Sequence, residues 1–296
     1  MPSLSVSGAV IDYEVRDAGD RDAPPVVQLH GLTSSRERDA LLGLDIGRHL
    51  GRTRGYEPAR LLRYDARGHG ESTGRHVPED YRWHHLADDL LRLLDHVWPG
   101  ERVHAVGPSM GSGTILHAAL KEPDRFAGLT LLLPPTAWET RAAQAHVYED
   151  QAVLVERDGL EAFVSMADAK PRPPASPPAP LTRPAITEAL MPTVLRGAAL
   201  ADLPPREQVA RVQAPTLLLA WVEDATHPLS TAVALHELMP GSRLEVATRP
   251  EHVARWPDLL AAQVAGGLER VRRETDRQSD RQSDRQSDRQ SDRQAG

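Results

Sequence analysis

Apolar and polar residues change their spacing several times along the chain. Over residues 4–10 and 11–15 apolar residues alternate with polar or small ones, which predicts an antiparallel pair of strands with one solvated face. Further on, short, mainly apolar segments predict strands at 25–29, 61–65, 102–106, 126–133, 215–221 and 243–247. Buried strands that alternate with helices predict an α/β fold, with a mostly parallel eight-stranded sheet and helices on both faces.

Helical spacing is clearest over residues 81–97, where Leu86, Leu90 and Leu94 recur on one face and Pro99-Gly100 ends the pattern. Further helices are predicted at 38–50, 110–120, 230–238 and 256–272. From about 136 to 206 the alternation is lost. Helical patches at 141–155, 160–167 and 185–195 flank a proline cluster at 171–184 that cannot form regular helix.

These changes predict the domain organisation. A core is expected over residues 1–135 and 207–274, with 136–206 inserted as a helical cap whose proline cluster makes it a partly mobile lid. From Asp276 to Gln294 the unit Asp-Arg-Gln-Ser repeats; each unit cancels its own charge and contains no apolar residue. We therefore expect a disordered tail over 275–296, either without a role or as a partner-binding or helical tether.

Composition narrows the function classes. The chain has 296 residues and a net charge of -7, which argues against a nucleic-acid groove or an anionic membrane surface as its main partner. Cysteine is absent, so disulfides, thiol nucleophiles and thiolate metal sites are excluded. The first residues lack a basic segment followed by an apolar one, and no apolar run is long enough to span a bilayer. We expect a cytoplasmic protein with a small-molecule substrate and neither cofactor nor metal.

One short segment carries the chemistry. In Gly107-Pro108-Ser109-Met110-Gly111 a serine stands between two glycines, where a predicted strand gives way to a helix. A serine on such a sharp, strained turn needs nearly side-chain-free neighbours two residues away on each side. The helix that follows favours negative charge beside the serine. The segment therefore predicts a nucleophile.

The partners of Ser109 should follow as acid and then histidine. Asp224 follows the strand at 215–221, and His252 follows the strand at 243–247, so both are expected at the carboxyl edge of the sheet. The alternatives for the acid are Glu223 and Glu139, and those for the base are His227 and His236. The alternative histidines rank lower because neither follows a strand of its own.

Taken together, five motifs resemble the α/β-hydrolase superfamily, in particular its capped single-domain esterase and lactonase-like members. They are His30-Gly31-Leu32, Asp65-x-Arg67-Gly68-His69-Gly70-x-Ser72, the Ser109 segment, Asp224-x-x-x-Pro228 and a late histidine. The resemblance covers roughly residues 1–274. It implies that the backbone N–H groups of Leu32 and Met110 form an oxyanion hole and that an ester or lactone is cleaved through an acyl-enzyme on Ser109.

Other features refine this expectation. Trp221 stands where the superfamily usually has a small residue and is expected to narrow the pocket floor, while Glu251 places a second carboxylate beside His252. Turn-organising or close-packing roles are expected for His30, Gly31, His69, Gly107, Gly111 and Gly113. Helical spacing pairs His84 with Asp88 and His85 with Asp89, which indicates either a metal pair or, more simply, a solvated helix face.

Reactions other than ester hydrolysis stay open on the same residues. The fold alone does not determine the reaction. The open alternatives are a cofactor-free perhydrolase or haloperoxidase-like activity, an acyltransferase and a carbon–carbon bond hydrolase. Serine rather than aspartate at position 109 argues against an alkyl-enzyme mechanism. The alternative from another class is a non-catalytic ligand receptor.

Overall fold

A single sheet provides the framework. The structure, a computed structural model, describes residues 2–17, 19–52 and 59–266, and the expected tail at 275–296 lies outside them. The strands are β1 (Ser3–Val6), β2 (Ala9–Arg16), β3 (Pro25–Gln28), β4 (Arg60–Tyr64), β5 (Val103–Pro108), β6 (Phe126–Leu132), β7 (Thr216–Trp221) and β8 (Ser242–Ala247). Their order is β1-β2-β4-β3-β5-β6-β7-β8. β2 pairs antiparallel with β1 and β4, and all other pairs are parallel, so the predicted mostly parallel sheet is confirmed.

The strand order gathers three strand ends at one edge. Pro108, at the end of β5, pairs with Leu132 at the end of β6, and Leu132 pairs with Leu219 near the end of β7. Since parallel strands end on the same side, the residues that follow them meet there. This edge therefore brings Ser109 close to the loop after Trp221.

Helices cover both faces of the sheet. They are α1 (Arg36–Leu42), α2 (Trp83–Val97), α3 (Met110–Lys121), α4 (Trp138–Asp158), α5 (Leu160–Asp168), α6 (Met191–Ala199), α7 (Arg206–Val209), α8 (Leu229–Leu238) and α9 (Pro250–Val253). Residues 256–266 are also helical, and short 3₁₀ turns lie at Ile46–His49, Pro78–Tyr81 and Pro123–Arg125. The predicted helix at 81–97 is thus confirmed over most of its length.

The two faces have separate cores, as alternation along the strands requires. Ala105 of β5 packs with the cluster under α2 and α3, whereas its neighbour Val106 packs with the cluster that contains Trp256. In β7, Leu218 faces the first cluster and Leu219 the second. Every residue of these two strands is buried, which explains why their sequences are mainly apolar.

Residues 136–206, the predicted insertion, supply most of a third apolar cluster, in which Tyr148 and Phe163 pack with Met191 and Val194. Residues 171–184, all of them described, form neither helix nor strand, in agreement with their proline content. The third predicted helical patch begins only at Met191, because Ala185 bridges two core loops. Its N–H donates to Thr33 O at 2.8 Å, and its carbonyl accepts from Gly70 N–H at 2.7 Å.

Candidate active site

Ser109 sits on the strained turn that the sequence predicts. It lies between β5 and α3 with φ 52° and ψ -112°, a conformation that costs a non-glycine residue about 1–3 kcal/mol. Its N–H donates to Leu132 O at 2.9 Å, and Ser112 Oγ donates to Gly107 O at 2.8 Å. The turn is therefore fixed to β6 and to its own first residues while the half-buried serine stays reachable.

The two glycines that flank this turn are required by close approach. A Cβ atom on Gly107 would lie 2.9 Å from Leu29 Cβ, and one on Gly111 would lie 3.0 Å from the same atom and 3.1 Å from His30 O. Such contacts are shorter than packed carbon atoms allow. The expected close-packing role of both glycines thus has a direct steric basis.

Ser109 contacts a histidine that in turn contacts an acid. His227 Nε2 lies 2.9 Å from Ser109 Oγ, and His227 Nδ1 lies 2.8 Å from Asp224 Oδ2. An ionised carboxylate can only accept hydrogen bonds, so Nδ1 carries the proton and donates it to Asp224. Nε2 is then left with a lone pair that accepts the Ser109 hydroxyl proton.

His252 is not the partner of Ser109, and that expectation is corrected. It lies in α9, where its Nε2 is 3.0 Å from Arg249 Nε and its Nδ1 is 3.3 Å from Thr248 N. The position that the sequence assigned to it, beside Ser109 and Asp224, belongs to His227. Asp224 itself lies where it was expected.

Local backbone geometry explains this difference. Asp224 Oδ1 accepts from the N–H groups of Thr226 at 2.8 Å and His227 at 3.1 Å, so the carboxylate folds the loop back on itself. The imidazole three residues further on therefore reaches both Asp224 Oδ2 and Ser109. The overlooked signal is Asp224-x-x-His227 within a single loop ahead of Pro228, which keeps the order of acid then histidine without a second strand.

The carboxylate of Asp224 is well stabilised as an anion. Burial alone would raise the pKa of Asp224, but the interactions with His227 and the hydrogen bond from Trp221 outweigh burial and lower that pKa. Trp221 Nε1 donates to Oδ2 at 2.7 Å. The sequence suggested that Trp221 narrows the pocket floor, whereas its indole nitrogen contacts the acid.

The competing carboxylates lie elsewhere. Glu223 is exposed, and so is Glu251 beside His252. Glu139, at the start of α4, pairs with the guanidinium of Arg206 at 2.8 and 2.6 Å. His236, the other alternative base, hydrogen-bonds Ser242 Oγ at 2.8 Å.

His30 organises the loop beside Ser109, as expected from the sequence. Its Nδ1 donates to Gly31 O at 2.8 Å, and its Nε2 accepts from Ala66 N–H at 2.9 Å. Burial lowers the pKa of His30 to about 4, so the ring is neutral near pH 7. The His69 ring lies 5.1 Å from it, and the two imidazoles join the loops after β3 and β4.

A buried acid holds the same loop from the other side. Asp39 of α1 accepts from Gly31 N–H at 3.3 Å and from Ser34 Oγ at 2.5 Å. A Cβ on Gly31 would lie 3.8 Å from Ser109 Cβ, so the loop passes beside the serine one residue before Leu32. Within the described part of the chain, no hydrogen-bond acceptor engages the backbone N–H of Leu32 or of Met110, the first residue of α3.

The segment considered as a metal pair is engaged in ion pairs instead. Asp88 binds Lys121 at 2.5 Å, and Asp89 binds Arg67 at 2.7 Å. Across residues 2–17, 19–52 and 59–266, no group of three or more histidine, cysteine, aspartate or glutamate side chains could hold a metal ion. Over the same ranges no helix combines the length and apolar character that a bilayer crossing needs.

Known proteins resemble both the sequence and the fold. A family described as α/β hydrolase fold matches residues 24–153. The 3-oxoadipate enol-lactonase 2 of Acinetobacter baylyi is 30% identical over 195 residues, which cover 63% of this chain and 69% of the lactonase. A Bacillus subtilis protein named for 2-succinyl-6-hydroxy-2,4-cyclohexadiene-1-carboxylate synthesis is 28% identical over 166 residues, 55% of this chain and 56% of that protein; the chain thus aligns with little more than half of it. A solved hydrolase from Pseudomonas aeruginosa PA01 has a TM-score of 0.71 at 24% identity, covering 90% of this chain and 97% of its own.

Proposed function

Because the chain belongs to the α/β-hydrolase family, a family of enzymes, we propose that it is a serine hydrolase that cleaves an ester or lactone through an acyl-enzyme on Ser109. One observation carries the proposal: Ser109 Oγ, His227 and Asp224 form a continuous series of contacts at 2.9 and 2.8 Å. A nucleophile, a base and a group that orients the base are the parts that acyl transfer requires. His227, not His252, is the proposed base.

In the first step His227 Nε2 takes the hydroxyl proton as Ser109 Oγ attacks the carbonyl carbon of the substrate. The new carbon–oxygen bond moves the carbonyl electron pair onto oxygen, which forms a tetrahedral oxyanion. Asp224 stabilises the imidazolium that develops and keeps its ring oriented. Its lowered pKa supports this role, because the carboxylate stays ionised throughout the neutral pH range.

We assign the oxyanion to the N–H groups of Leu32 and Met110. Leu32 follows Gly31, on which a Cβ would lie 3.8 Å from Ser109 Cβ. Met110 follows Ser109 directly and begins a helix whose first amides have no partner within the helix. Removing one such donor typically costs about 3 kcal/mol of transition-state stabilisation. The oxyanion then collapses, the bond to the leaving oxygen breaks, and His227 returns its proton to that oxygen.

Water completes the reaction. It donates a proton to His227 while its oxygen attacks the acyl carbon, and Ser109 leaves with that proton as the acid is released. In a lactone the leaving oxygen belongs to the same molecule, so one product results. The name of the Acinetobacter relative, an enol-lactonase, supports the ester or lactone class of small-molecule substrate.

The insertion is proposed to cover this site. Leu32 packs against the apolar cluster of the insertion, and Ala185 hydrogen-bonds the neighbouring Thr33. Arg38 Nε also donates to Thr182 Oγ1 at 2.9 Å. These contacts tie the insertion to the loop beside the nucleophile, where it can limit the size of the acyl or alcohol group.

A fluorophosphonate probe tests the proposal. Intact mass and peptide mapping should locate one adduct on Ser109 of the wild-type chain and none in Ser109→Ala. His227→Ala should react at least about 100-fold more slowly, since a general base contributes about 10²–10⁴-fold. His252→Ala is the matched control and should react at the wild-type rate. Slow labelling of His252→Ala with normal labelling of His227→Ala would overturn the assignment of the base.

A further inference from the structure

We propose that Trp221 is a positioning residue, whose indole N–H holds the Asp224 carboxylate in the orientation that His227 requires. The inference rests on the proposed function, because it concerns the acid of that same site. Its physical basis is separate: it depends on the contacts between Trp221, Asp224 and His227.

The hydrogen bonds on Asp224 differ between its two oxygens. Oδ1 accepts two backbone N–H groups of its own loop. Oδ2 accepts the side-chain donors, Trp221 Nε1 at 2.7 Å and His227 Nδ1 at 2.8 Å. The indole therefore binds the same oxygen as the imidazole. With four donors in place, rotation of the carboxylate would break charge-assisted hydrogen bonds.

The indole can fix the carboxylate because the indole itself is fixed. Trp221 is the last residue of β7, pairs in register with Ala247 of β8, and is 7% exposed. Its ring stacks on Trp256, with centroids 6.1 Å apart and planes at 28°. Trp256 is in turn almost completely buried in the core cluster on that face. The direction of the Nε1–H bond is thus set by strand pairing and by aromatic packing.

The expected consequence falls on turnover rather than on substrate binding. Trp221 contacts the acid, and the acid acts most strongly when the imidazole becomes a cation in the transition state. Loss of the N–H should therefore lower kcat and leave KM nearly unchanged. A hydrogen bond to a charged group corresponds to about a tenfold change in rate or more.

A single-atom change tests this inference. A benzothienyl analogue at position 221 replaces Nε1–H with sulfur and keeps the volume and the stacking surface. The same analogue at position 256 is the matched control. Each protein is assayed for p-nitrophenyl ester turnover, and the low-field proton resonance of the His227 Nδ1–H is recorded as a readout that does not depend on turnover.

The analogue at 221 should lower kcat about tenfold or more and shift the low-field resonance, whereas the analogue at 256 should do neither. An unchanged kcat and resonance at 221, a change in KM alone, or equal losses at both positions would overturn the inference. If the wild-type chain shows no ester turnover but the low-field resonance still shifts only with the analogue at 221, the Trp221 contact is supported and the hydrolase proposal is refuted.

If the chain with the analogue at 221 does not fold, Asp224→Asn in a chain with labelled indoles replaces it. The Trp221 N–H resonance should then move towards the position of a weaker hydrogen bond, and no movement would overturn the inference.

Discussion

Asp39 offers a quantitative test of the electrostatics beside the nucleophile. It is 1% exposed, and burial raises its pKa to about 7, although hydrogen bonds from Ser34 and Gly31 oppose this shift. Replacing Asp39 with asparagine keeps the shape of the side chain and removes its titration. The unfolding free energies of the two proteins should therefore differ in a way that depends on pH.

The sign of this dependence follows from linkage between protonation and folding. The pKa of Asp39 is 3.8 in the unfolded chain and about 7 in the folded chain. Between these two pH values the unfolded wild-type chain has lost the Asp39 proton while the folded chain keeps it. The wild-type unfolding free energy then falls by about 1.4 kcal/mol per pH unit as pH rises, or about 4 kcal/mol over the whole window. Above the folded value both states are ionised and the contribution stays constant.

Urea denaturation at several pH values between 5 and 8 measures the effect. The unfolding free energy of Asp39→Asn relative to the wild type should rise by about 1.4 kcal/mol per unit up to about pH 7 and then level off. Glu37→Gln changes an exposed acid on the same helix and should give a flat difference. A flat difference for Asp39→Asn would show that this buried group is already ionised at pH 5, which would refute the reasoning.

Three further predictions concern the serine turn and a buried imidazole. Gly111→Ala would force a Cβ to within 3.0 Å of Leu29 Cβ and should lower the unfolding free energy by about 1–3 kcal/mol, whereas Gly241→Ala, which meets open space, should not. Ser109→Gly should raise the unfolding free energy by about 1 kcal/mol by relieving the positive φ while abolishing probe labelling; lower stability would contradict the strain. Burial first, and then the nearby His30, lower the pKa of His69 to about 3 from 6.5, so wild-type stability should fall as pH falls through that range. His69→Gln should lose less stability between pH 6.5 and 4.5 in the same urea assay, and equal losses would argue against a neutral buried ring.

Much of the fold was accessible from the sequence because strand burial leaves a direct signature. β5 and β7 are buried along their whole length, and their mainly apolar sequences predicted two central strands. The Ser109 turn could also be predicted from the sequence, because only small residues fit at Gly107 and Gly111. Asp224 followed from its place after β7 at the carboxyl edge of the sheet.

The contact of His227 with Ser109 was missed because the position of this histidine depends on side-chain hydrogen bonds within a loop. Strand patterns predict where a loop begins but not how it turns, and here Asp224 Oδ1 determines the turn through the amides of Thr226 and His227. The indole contact of Trp221 is hidden for a similar reason, because residue type does not reveal the direction of a ring N–H. A predicted helix likewise begins later than expected where Ala185 contacts Thr33, across 152 positions of sequence.

Asp224 and His227 share one loop after β7, so opening of the edge strand β8 does not pull these two residues apart. β8 is the terminal strand and only partly buried, and such edges open more readily than central strands. If the histidine beside Ser109 followed β8, as predicted for His252, each opening of that strand would carry the imidazole away from the serine. Here β8 and α9 can exchange with solvent while Asp224 and His227 remain on the carboxyl end of β7. Fast amide exchange in β8 therefore does not carry His227 away from Asp224; such an opening reaches the site through the pairing of Trp221 with Ala247.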